Sequence, residues 1–204
     1  MPTALWLAKE PLMLASRSRI RQMLLTAAGV PVEACPADLD ERSLEVGAKQ
    51  QSAGAVAALL AREKAVAVAK LRHGRLTLGA DQTLALRSQR LIKPADRNAA
   101  RAQLRALRGR SHELHSAVAF VQGDTVLFEY VGVARMTMRA FSDRFLESYL
   151  DALGEAVTVS VGAYQIEGLG AQLFERFEGD YFTVLGLPLM EALDFLRRKG
   201  CLAR

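Results

Sequence analysis

Residues 12–29, LMLASRSRIRQMLLTAAG, decide the fold class of this chain. The apolar run 12–15 predicts a strand, and Ser16 and Ser18 directly after it are suited to cap a helix. Apolar residues then recur at helical spacing along one face, and Gly29 is a plausible end of that helix. The segment therefore predicts a strand, a tight turn and a helix, with serine and arginine side chains gathered at the turn.

Strand-like and helix-like segments continue to alternate after this unit, which predicts an α/β protein. The predicted strands are 12–15, 76–80 with Asp81 where it ends, a hairpin over 84–92 that turns at Ser88 and Gln89, a hairpin over 113–138 that turns at Gly123-Asp124, and 182–185. The predicted helices are 52–70, 96–107, 142–154 and 189–199.

Composition limits the class of protein. The 204 residues are 50% hydrophobic and 24% charged, which is enough apolar material for one core or for one core split into two lobes. The net charge of +5 suits a polyanionic partner such as a phosphate ester, although solubility alone would also explain it. The short N-terminal apolar stretch is ended by Lys9, Glu10 and Pro11, and no run reaches the ~20 apolar residues of a membrane span. These features predict a cytoplasmic protein.

The turn before the first helix has the chemistry of a phosphate site. A helix N-terminus presents unpaired backbone N–H groups and the positive end of the helix dipole. Ser16, Arg17, Ser18, Arg19 and Arg21 add hydroxyl and guanidinium donors beside it. A well-capped helix with solvated arginines would show the same pattern, so the spacing leaves both interpretations open.

Two acidic sites are candidates for metal binding or catalysis. Asp40 and Glu41 offer adjacent carboxylates, which magnesium and manganese prefer, although an acidic loop is the commoner case. Asp81 in the sequence Gly79-Ala80-Asp81 is expected at the end of a buried strand, where α/β sheets place their ligands. It can act as a general base or a metal ligand, or it can simply cap a turn.

Single basic residues complete the candidate set. Lys64, Lys93 and Arg110 can each reach a phosphate, but each is of a type that is usually a surface charge. His112 and His115 are three apart in a predicted strand, so they would point to opposite faces and no zinc site is expected. In the glycine-rich segment 161–170, Glu167 can accept hydrogen bonds from a purine edge, although a glycine-rich turn flanking a strand would show the same pattern.

The order of these motifs resembles the Maf family of nucleoside triphosphate pyrophosphatases over about residues 12–195. The family's leucine-alanine-serine-x-serine-proline-arginine-arginine resembles residues 14–21, where Arg19 replaces the proline and Ile20 replaces the first arginine. The remaining matches are Asp40-Glu41, Lys64, Gly79-Ala80-Asp81, Lys93-Pro94, Gly109-Arg110-Ser111-His112 and Gly186-Leu187-Pro188.

The resemblance implies a fold, a reaction and a site. The fold is a single two-lobed α/β domain over 1–204, with an elongated mixed sheet and flanking helices around a central cleft, similar to inosine triphosphatases. The reaction is cleavage between the α- and β-phosphates, a house-cleaning activity that needs a divalent metal such as Mg²⁺ or Mn²⁺, often in a homodimer. Asp81 would be catalytic, Glu41 and Asp81 would hold the metal, and the substrate would contact Ser16, Ile20, Arg21, Lys64, Gln82, Lys93, Arg110 and Glu167.

Two positions bear on the base. Gln82 and Glu167 are similar to the branch of the family that hydrolyses 7-methyl-GTP, and Ser160 replaces a lysine that is usual in the late loop. A carboxylate suits the two adjacent N–H donors of guanine and gains further from the positive charge of a methylated base.

Two other classes of function compete with this prediction. A nucleotide-sensing regulator of cell division would bind without turnover. A nucleic-acid binder is suggested by charge alone, but aromatics are 6% of the residues and are not interleaved with basic residues, so no nucleic-acid partner is expected.

Overall fold

A computed structural model describes residues 5–204 of the chain; residues 1–4 of the domain predicted over 1–204 lie outside the described residues. The strands are β1 (Leu12–Ala15), β2 (Val32–Ala34), β3 (Leu76–Leu86), β4 (Gln89–Leu91), β5 (Ser111–Gln122), β6 (Thr125–Met138) and β7 (Phe174–Glu178). The helices are α1 (Arg19–Ala27), α2 (Glu41–Gly47), α3 (Ala53–Leu71), α4 (Arg97–Leu107), α5 (Asp143–Leu153), α6 (Tyr181–Val184) and α7 (Leu189–Arg198). Short 3₁₀ turns lie between α5 and β7.

The strands form one mixed seven-stranded sheet in the order β2-β1-β3-β5-β6-β7, with β4 paired to β3. β1 is parallel to β2 and β3, whereas the other pairs are antiparallel. The parallel register of β1 and β3 stops at Ala15 and Gly79, but β3 continues to Leu86 and pairs with β5 as far as Ala85. This unequal length leaves a space beyond the end of β1. The predicted mixed sheet with flanking helices is confirmed.

Two hydrophobic cores lie toward opposite ends of the long strands. One surrounds Leu84, Leu114 and Met136 and receives α4 and α5. The other surrounds Leu78 and Phe120 and receives α1 and α7. The strands β3 and β5 extend through both cores, and the space beyond β1 is lined by residues of both.

The alanine-rich helix α3 packs very closely on the sheet. Its buried alanines, Ala57, Ala61, Ala65 and Ala69, are four residues apart and form one stripe, as the helical period requires. The stripe lies over Gly79 of β3, where an added Cβ would be only 2.0 Å from the carbonyl oxygen of Ala61. Only glycine permits this approach, which brings the side chains of α3 onto β3.

Three predicted elements were wrong in detail. The strand predicted to end before Asp81 runs on to Leu86, because β3 continues to pair with β5 at Asp81 and beyond it. The hairpin after it turns one residue earlier than predicted, at Arg87 and Ser88, and Gln89 already belongs to β4. Residues 182–185, predicted as a strand, lie mainly in α6, which Asp180 begins by accepting a hydrogen bond from the Thr183 N–H at 2.7 Å.

None of the helices within residues 5–204 combines the length and the apolar character that crossing a bilayer requires.

Candidate active site

A cleft of about 1170 Å³ opens beyond the end of β1. Its walls come from the β1–α1 turn, the segment before α2, α2 itself, α3, β3, β4 and the segment 159–167. The basic residues along the cleft are Arg17, Arg19, Arg21, Arg42, Lys64, Arg90 and Lys93, and the acidic ones are Asp38, Glu41, Glu45, Asp81 and Glu167. Seven basic groups against five acidic groups leave a net positive cleft, which attracts anions.

Lys64 joins two carboxylates on one side of this cleft. Its Nζ donates to Asp81 Oδ1 at 2.6 Å and lies 3.0 Å from Glu41 Oε2. The Lys64 and Asp81 side chains are only 11% and 12% exposed, whereas that of Glu41 is 49% exposed. An ion pair with this little access to water is screened far less than a surface pair. The cleft therefore contains one buried ion pair and one half-exposed carboxylate that shares its cation.

The backbone explains why these three residues meet. Asp81 follows Gly79 by two positions on β3, so both point to the face that α3 covers. Lys64 lies on α3 between Ala61 and Ala65, the two residues that approach Gly79 most closely. Glu41 is the first residue of α2, directly after its cap Asp40. The close packing at Gly79 thus sets the reach of Lys64 to Asp81.

The two adjacent carboxylates, Asp40 and Glu41, have different positions in the structure. Asp40 accepts hydrogen bonds from the Ser43 N–H at 3.0 Å and from the Ser43 hydroxyl, and these bonds lower the pKa of Asp40. It is therefore the N-cap of α2 rather than a lining residue of the cleft. Glu41 alone of the pair faces the cleft.

The β1–α1 turn places hydroxyls and cations at a helix start. Ser18 caps α1 by accepting from the Arg21 N–H at 3.4 Å. The buried Ser16 Oγ accepts from the Ser18 N–H and from Arg21 Nη1, both at 3.2 Å. These bonds occupy both acceptor sites of the Ser16 hydroxyl and leave its O–H free to donate. The first turn of α1 has no acidic residue, although a helix start favours negative charge. An anion bound in the cleft would therefore interact favourably with the positive end of the helix dipole.

Arg21 connects three parts of the chain at the base of the cleft. Its Nε donates to the Gly186 carbonyl at 2.8 Å and its Nη1 to the Ala80 carbonyl at 2.7 Å. Burial lowers the pKa of Arg21, and the charges of Asp81 and Glu41 act in the opposite direction. Gly186 has φ +89°, and a Cβ there would approach Arg21 Nη2 to 3.4 Å. Arg21 thus organises the site, and its Nη2 takes no part in these hydrogen bonds.

Gln82 faces the sheet side opposite Asp81, because it is the next residue of the strand. Its Nε2 lies 3.0 Å from Ser116 Oγ, 3.2 Å from the Thr183 carbonyl and 3.1 Å from the Val184 carbonyl. The two carbonyls can only accept, so the amide NH₂ group is committed to α6. Gln82 lines the cleft, but its amide hydrogens position the α6 segment and are not presented to a ligand.

Lys93, Glu167 and Ile20 also line the cleft. Lys93 and Glu167 are exposed and have no ion pair within residues 5–204, so each is available to a ligand. Ile20 is partly buried and packs against the core beneath α1, which makes its contribution apolar. The structure therefore places Ser16, Ile20, Arg21, Glu41, Lys64, Asp81, Gln82, Lys93 and Glu167 in one cleft.

Arg110 is the exception among the residues predicted to contact the substrate. It is exposed and does not line the cleft. Asp81 is paired with Ala117 of β5, and Arg110 precedes that position by seven residues, or about 23 Å along an extended strand. The end of β5 that bears Arg110 thus lies well away from the carboxylate.

His112 acts from behind the cleft wall. It is 2% exposed, and its Nε2 lies 2.7 Å from the hydroxyl of Tyr164, which lines the cleft. Burial lowers the pKa of His112 to about 4, so the ring is neutral near pH 7. Sequence reasoning missed Tyr164, although its place in the glycine-rich segment 161–170 could have indicated a cleft wall.

The segment 160–164 is held by two further side chains. Ser160 Oγ donates to the Tyr164 carbonyl at 2.6 Å, and the Tyr149 hydroxyl donates to the Ala163 carbonyl at 3.2 Å. Burial raises the pKa of Tyr149 and of Tyr164, so both phenols stay protonated. Ser160, which replaces the usual family lysine, therefore fixes the loop and brings no charge to the cleft.

The donors of the cleft suit a divalent metal only together with a substrate. Within residues 5–204 there is no group of three or more His, Cys, Asp or Glu side chains that could hold an ion by itself. One oxygen of Glu41 and one oxygen of Asp81 contact the same Lys64 Nζ, at 3.0 Å and 2.6 Å, so the two carboxylates are close to each other. Magnesium is usually held by one or two carboxylates together with phosphate oxygens and water, and this pair meets that requirement.

The chain is similar to known proteins over nearly its whole length. The family model described as Maf-like protein matches residues 11–199. A nucleoside triphosphate pyrophosphatase of Rhodopseudomonas palustris is 55% identical over 199 residues, with 98% of each chain covered. A 7-methyl-GTP pyrophosphatase of Mesorhizobium japonicum is 49% identical over 197 residues, with 95% of this chain and 98% of the relative covered. A solved HAM1 protein from Coxiella burnetii is 19% identical over 63% of this chain and 72% of its own, with a TM-score of 0.40, which is too low to support a conclusion.

Proposed function

The chain belongs to the Maf family and is a nucleoside triphosphate pyrophosphatase, and from this premise we propose that it cleaves the bond between the α- and β-phosphates with a preference for 7-methyl-GTP. The products are a nucleoside monophosphate and pyrophosphate. Such an enzyme removes modified nucleotides from the triphosphate pool, which is a house-cleaning activity.

One observation carries this proposal. Lys64 Nζ contacts both the Asp81 carboxylate and the Glu41 carboxylate inside a cleft whose other charged groups are mainly basic. The acidic pair supplies a base and metal ligands, and the surrounding cations neutralise phosphate oxygens. Phosphoryl transfer leaves little covalent work to the protein, so charges held in place are the main source of rate.

Each side chain has a task that its position supports. Asp81 orients the attacking water and accepts its proton. Lys64, Lys93 and Arg21 neutralise the charge that develops on the phosphate oxygens, and the Ser16 hydroxyl donates to one of them. Since Arg21 and Ser16 are already fixed by hydrogen bonds to Ala80, Gly186 and Ser18, little reorganisation is needed when the substrate arrives.

Glu41 and Asp81 would hold a divalent metal ion such as Mg²⁺ or Mn²⁺. When bound, the ion supplies positive charge to the phosphate oxygens and lowers the pKa of coordinated water. The half-exposed Glu41 can turn from Lys64 toward a ligand at little cost, because a partly solvated ion pair contributes little to stability.

The preference for a methylated guanine rests on Glu167. Its exposed carboxylate lines the cleft, where it can accept from the two adjacent N–H donors of guanine. The positive charge of the 7-methylated base adds an electrostatic attraction that an unmodified base lacks. One relative that is 49% identical is named a 7-methyl-GTP pyrophosphatase, which is in keeping with this proposal.

The test is a screen of 7-methyl-GTP, GTP, UTP and dTTP with separate detection of pyrophosphate and orthophosphate. We expect pyrophosphate as the product and 7-methyl-GTP as the best substrate. Glu167→Gln should bring the kcat/KM values for 7-methyl-GTP and GTP closer together, because the added attraction to the charged base is lost. Orthophosphate release, or a preference for dTTP, would contradict the proposal. Binding without turnover would favour a nucleotide-sensing regulator of cell division instead.

Two parts of the proposal concern the location and the oligomeric state of the enzyme rather than its reaction. We place the enzyme in the cytoplasm, where its substrates are made, and we expect the homodimer that the family resemblance implies. Light scattering on the purified protein tests the dimer, and a monomer at micromolar concentration would remove that part without affecting the reaction.

A further inference from the structure

Arg90 is a further, half-buried cation of the cleft, and neither the motifs nor the family resemblance pointed to it. It lies on β4, lines the cleft, and has a side chain that is only 19% exposed. Its Nη1 is one of three buried side-chain nitrogen or oxygen atoms without a hydrogen-bond partner in the described part of the chain. A buried polar group without a partner is costly, so such an atom in a cleft calls for a physical explanation.

The other contacts of Arg90 are weak. Its Nη2 donates to the Glu45 carbonyl at 3.4 Å and lies 3.8 Å from Glu45 Oε2. Both distances are long for a charge-assisted hydrogen bond, which is normally about 2.7–2.9 Å. The guanidinium is thus neither fully solvated nor fully paired, and it would lose little by turning toward a stronger acceptor.

The position of Arg90 relative to Asp81 follows from strand register. Arg90 pairs with Ala85 of β3, which is four residues beyond Asp81 and therefore points to the same face of the sheet. Glu41 contacts Lys64, and Glu45 contacts Arg90. These two glutamates are one turn apart on α2, which separates the two contacts by about 6 Å along the helix axis.

We propose that Arg90 binds the terminal phosphates of the substrate, which leave as pyrophosphate. A triphosphate whose α-phosphate lies near Asp81 and Lys64 would extend along α2 toward Arg90. The guanidinium would then exchange its long contacts with Glu45 for hydrogen bonds to phosphate oxygens, and the unpartnered Nη1 would gain an acceptor. This inference rests on the proposed function, since it assigns the leaving group of that reaction.

The experiment compares the binding of inorganic pyrophosphate and of 7-methyl-GMP, each with Mg²⁺, by calorimetry. We expect Arg90→Gln to weaken pyrophosphate binding about tenfold or more, as the loss of a hydrogen bond to a charged group does, and to leave binding of the monophosphate nearly unchanged. Arg144→Gln is the matched control, because it removes the same charge from an exposed residue of α5 outside the cleft. It should alter neither affinity.

A merely structural role for Arg90 predicts a different pattern. If Arg90 only tethers α2, Glu45→Gln should reproduce the effect of Arg90→Gln on both ligands. If Arg90 binds phosphate, Glu45→Gln should leave pyrophosphate binding at least as tight as in the wild type.

Equal weakening of both ligands by Arg90→Gln, no weakening at all, or no binding of pyrophosphate to the wild type would overturn the assignment. Failure of the proposed function is distinguishable from these results. In that case the wild type would bind pyrophosphate through Arg90 but release none from any triphosphate.

Discussion

Replacing Lys64 by methionine should destabilise the fold more than replacing its partner Asp81 by asparagine. Lys64→Met leaves the 12%-exposed Asp81 side chain without the cation that contacts it, so that only the more distant charge of Arg21 acts on it. Asp81→Asn leaves Lys64 with a second partner, because Glu41 lies 3.0 Å from its Nζ. The two substitutions should therefore differ in cost, because Glu41 can still pair with Lys64 when Asp81 is replaced.

The magnitude follows from the burial of these groups. Removing one partner of a buried pair typically costs about 3–5 kcal/mol, because the remaining charge is left uncompensated. Residual exposure of Asp81 favours the lower end, so we expect Lys64→Met to lower the free energy of unfolding by about 3 kcal/mol. For a protein of this size that corresponds to a fall in Tm of about 6–12 °C. Asp81→Asn should cost only about 1 kcal/mol, the value of an ordinary hydrogen bond.

Urea denaturation of the wild type, both single variants and the double variant forms a double-mutant cycle. The double variant should be more stable than Lys64→Met alone, since it has no unpaired buried carboxylate. A coupling energy of at least about 1.5 kcal/mol is expected for residues in direct contact. Equal costs for the two single variants, or additive costs in the double variant, would refute the reasoning.

Two further predictions concern the supports of the cleft. Gly79→Ala should lower the free energy of unfolding by about 3 kcal/mol or more, because its Cβ would lie 2.0 Å from the Ala61 carbonyl oxygen; thermal denaturation measures the loss, and an unchanged Tm would contradict the close packing of α3. Burial lowers the pKa of His112 from 6.5 to about 4, so between these values the unfolded chain binds the proton more readily. The contribution of neutral His112 to the free energy of unfolding should therefore be fully present above about pH 6.5. The free energy of unfolding should fall by up to about 3 kcal/mol on acidification toward pH 4. His112→Gln should flatten this part of the pH profile in urea denaturation, and an equally steep profile in that variant would rule out His112 as the cause.

Local sequence signals located most of the longer elements, although β2, α2 and β7 were not predicted. The strand Leu12–Ala15 has its predicted limits, and Ser18 caps α1 as expected. The helices predicted over 52–70, 96–107 and 142–154 lie within one residue of their observed limits. These features depend on neighbours within a few residues, so propensity and capping chemistry are sufficient to locate them.

Elements that depend on distant pairing were harder to predict. β3 passes through Asp81 because β5, some thirty residues later, continues to pair with it, and no local signal reports that pairing. Residues 182–185 are apolar and resemble a strand, but the cap at Asp180 gives a short helix. The predicted end of a strand beside the site does exist, but it belongs to β1 rather than to β3.

The candidate site was likewise predictable only in those features that depend on local sequence motifs. Motifs selected residues that the structure brings together in one cleft, including Ser16, Arg21 and Lys64. They could not report that the amide of Gln82 is committed to α6, or that Arg110 lies outside the cleft. Arg90 belongs to no motif, and its buried Nη1 without a hydrogen-bond partner distinguishes it from a surface arginine.

The rate of pyrophosphate release by Asp81→Asn tests the central claim most directly. Asparagine keeps the size of the side chain but cannot accept a proton from water, so turnover should fall to background while the fold, followed by circular dichroism, stays intact. Asn98→Asp on α4 provides a control for a change between the same two side chains outside the cleft, and it should retain wild-type turnover. An Asp81→Asn variant that releases pyrophosphate at the wild-type rate, with the same requirement for metal, would contradict the account.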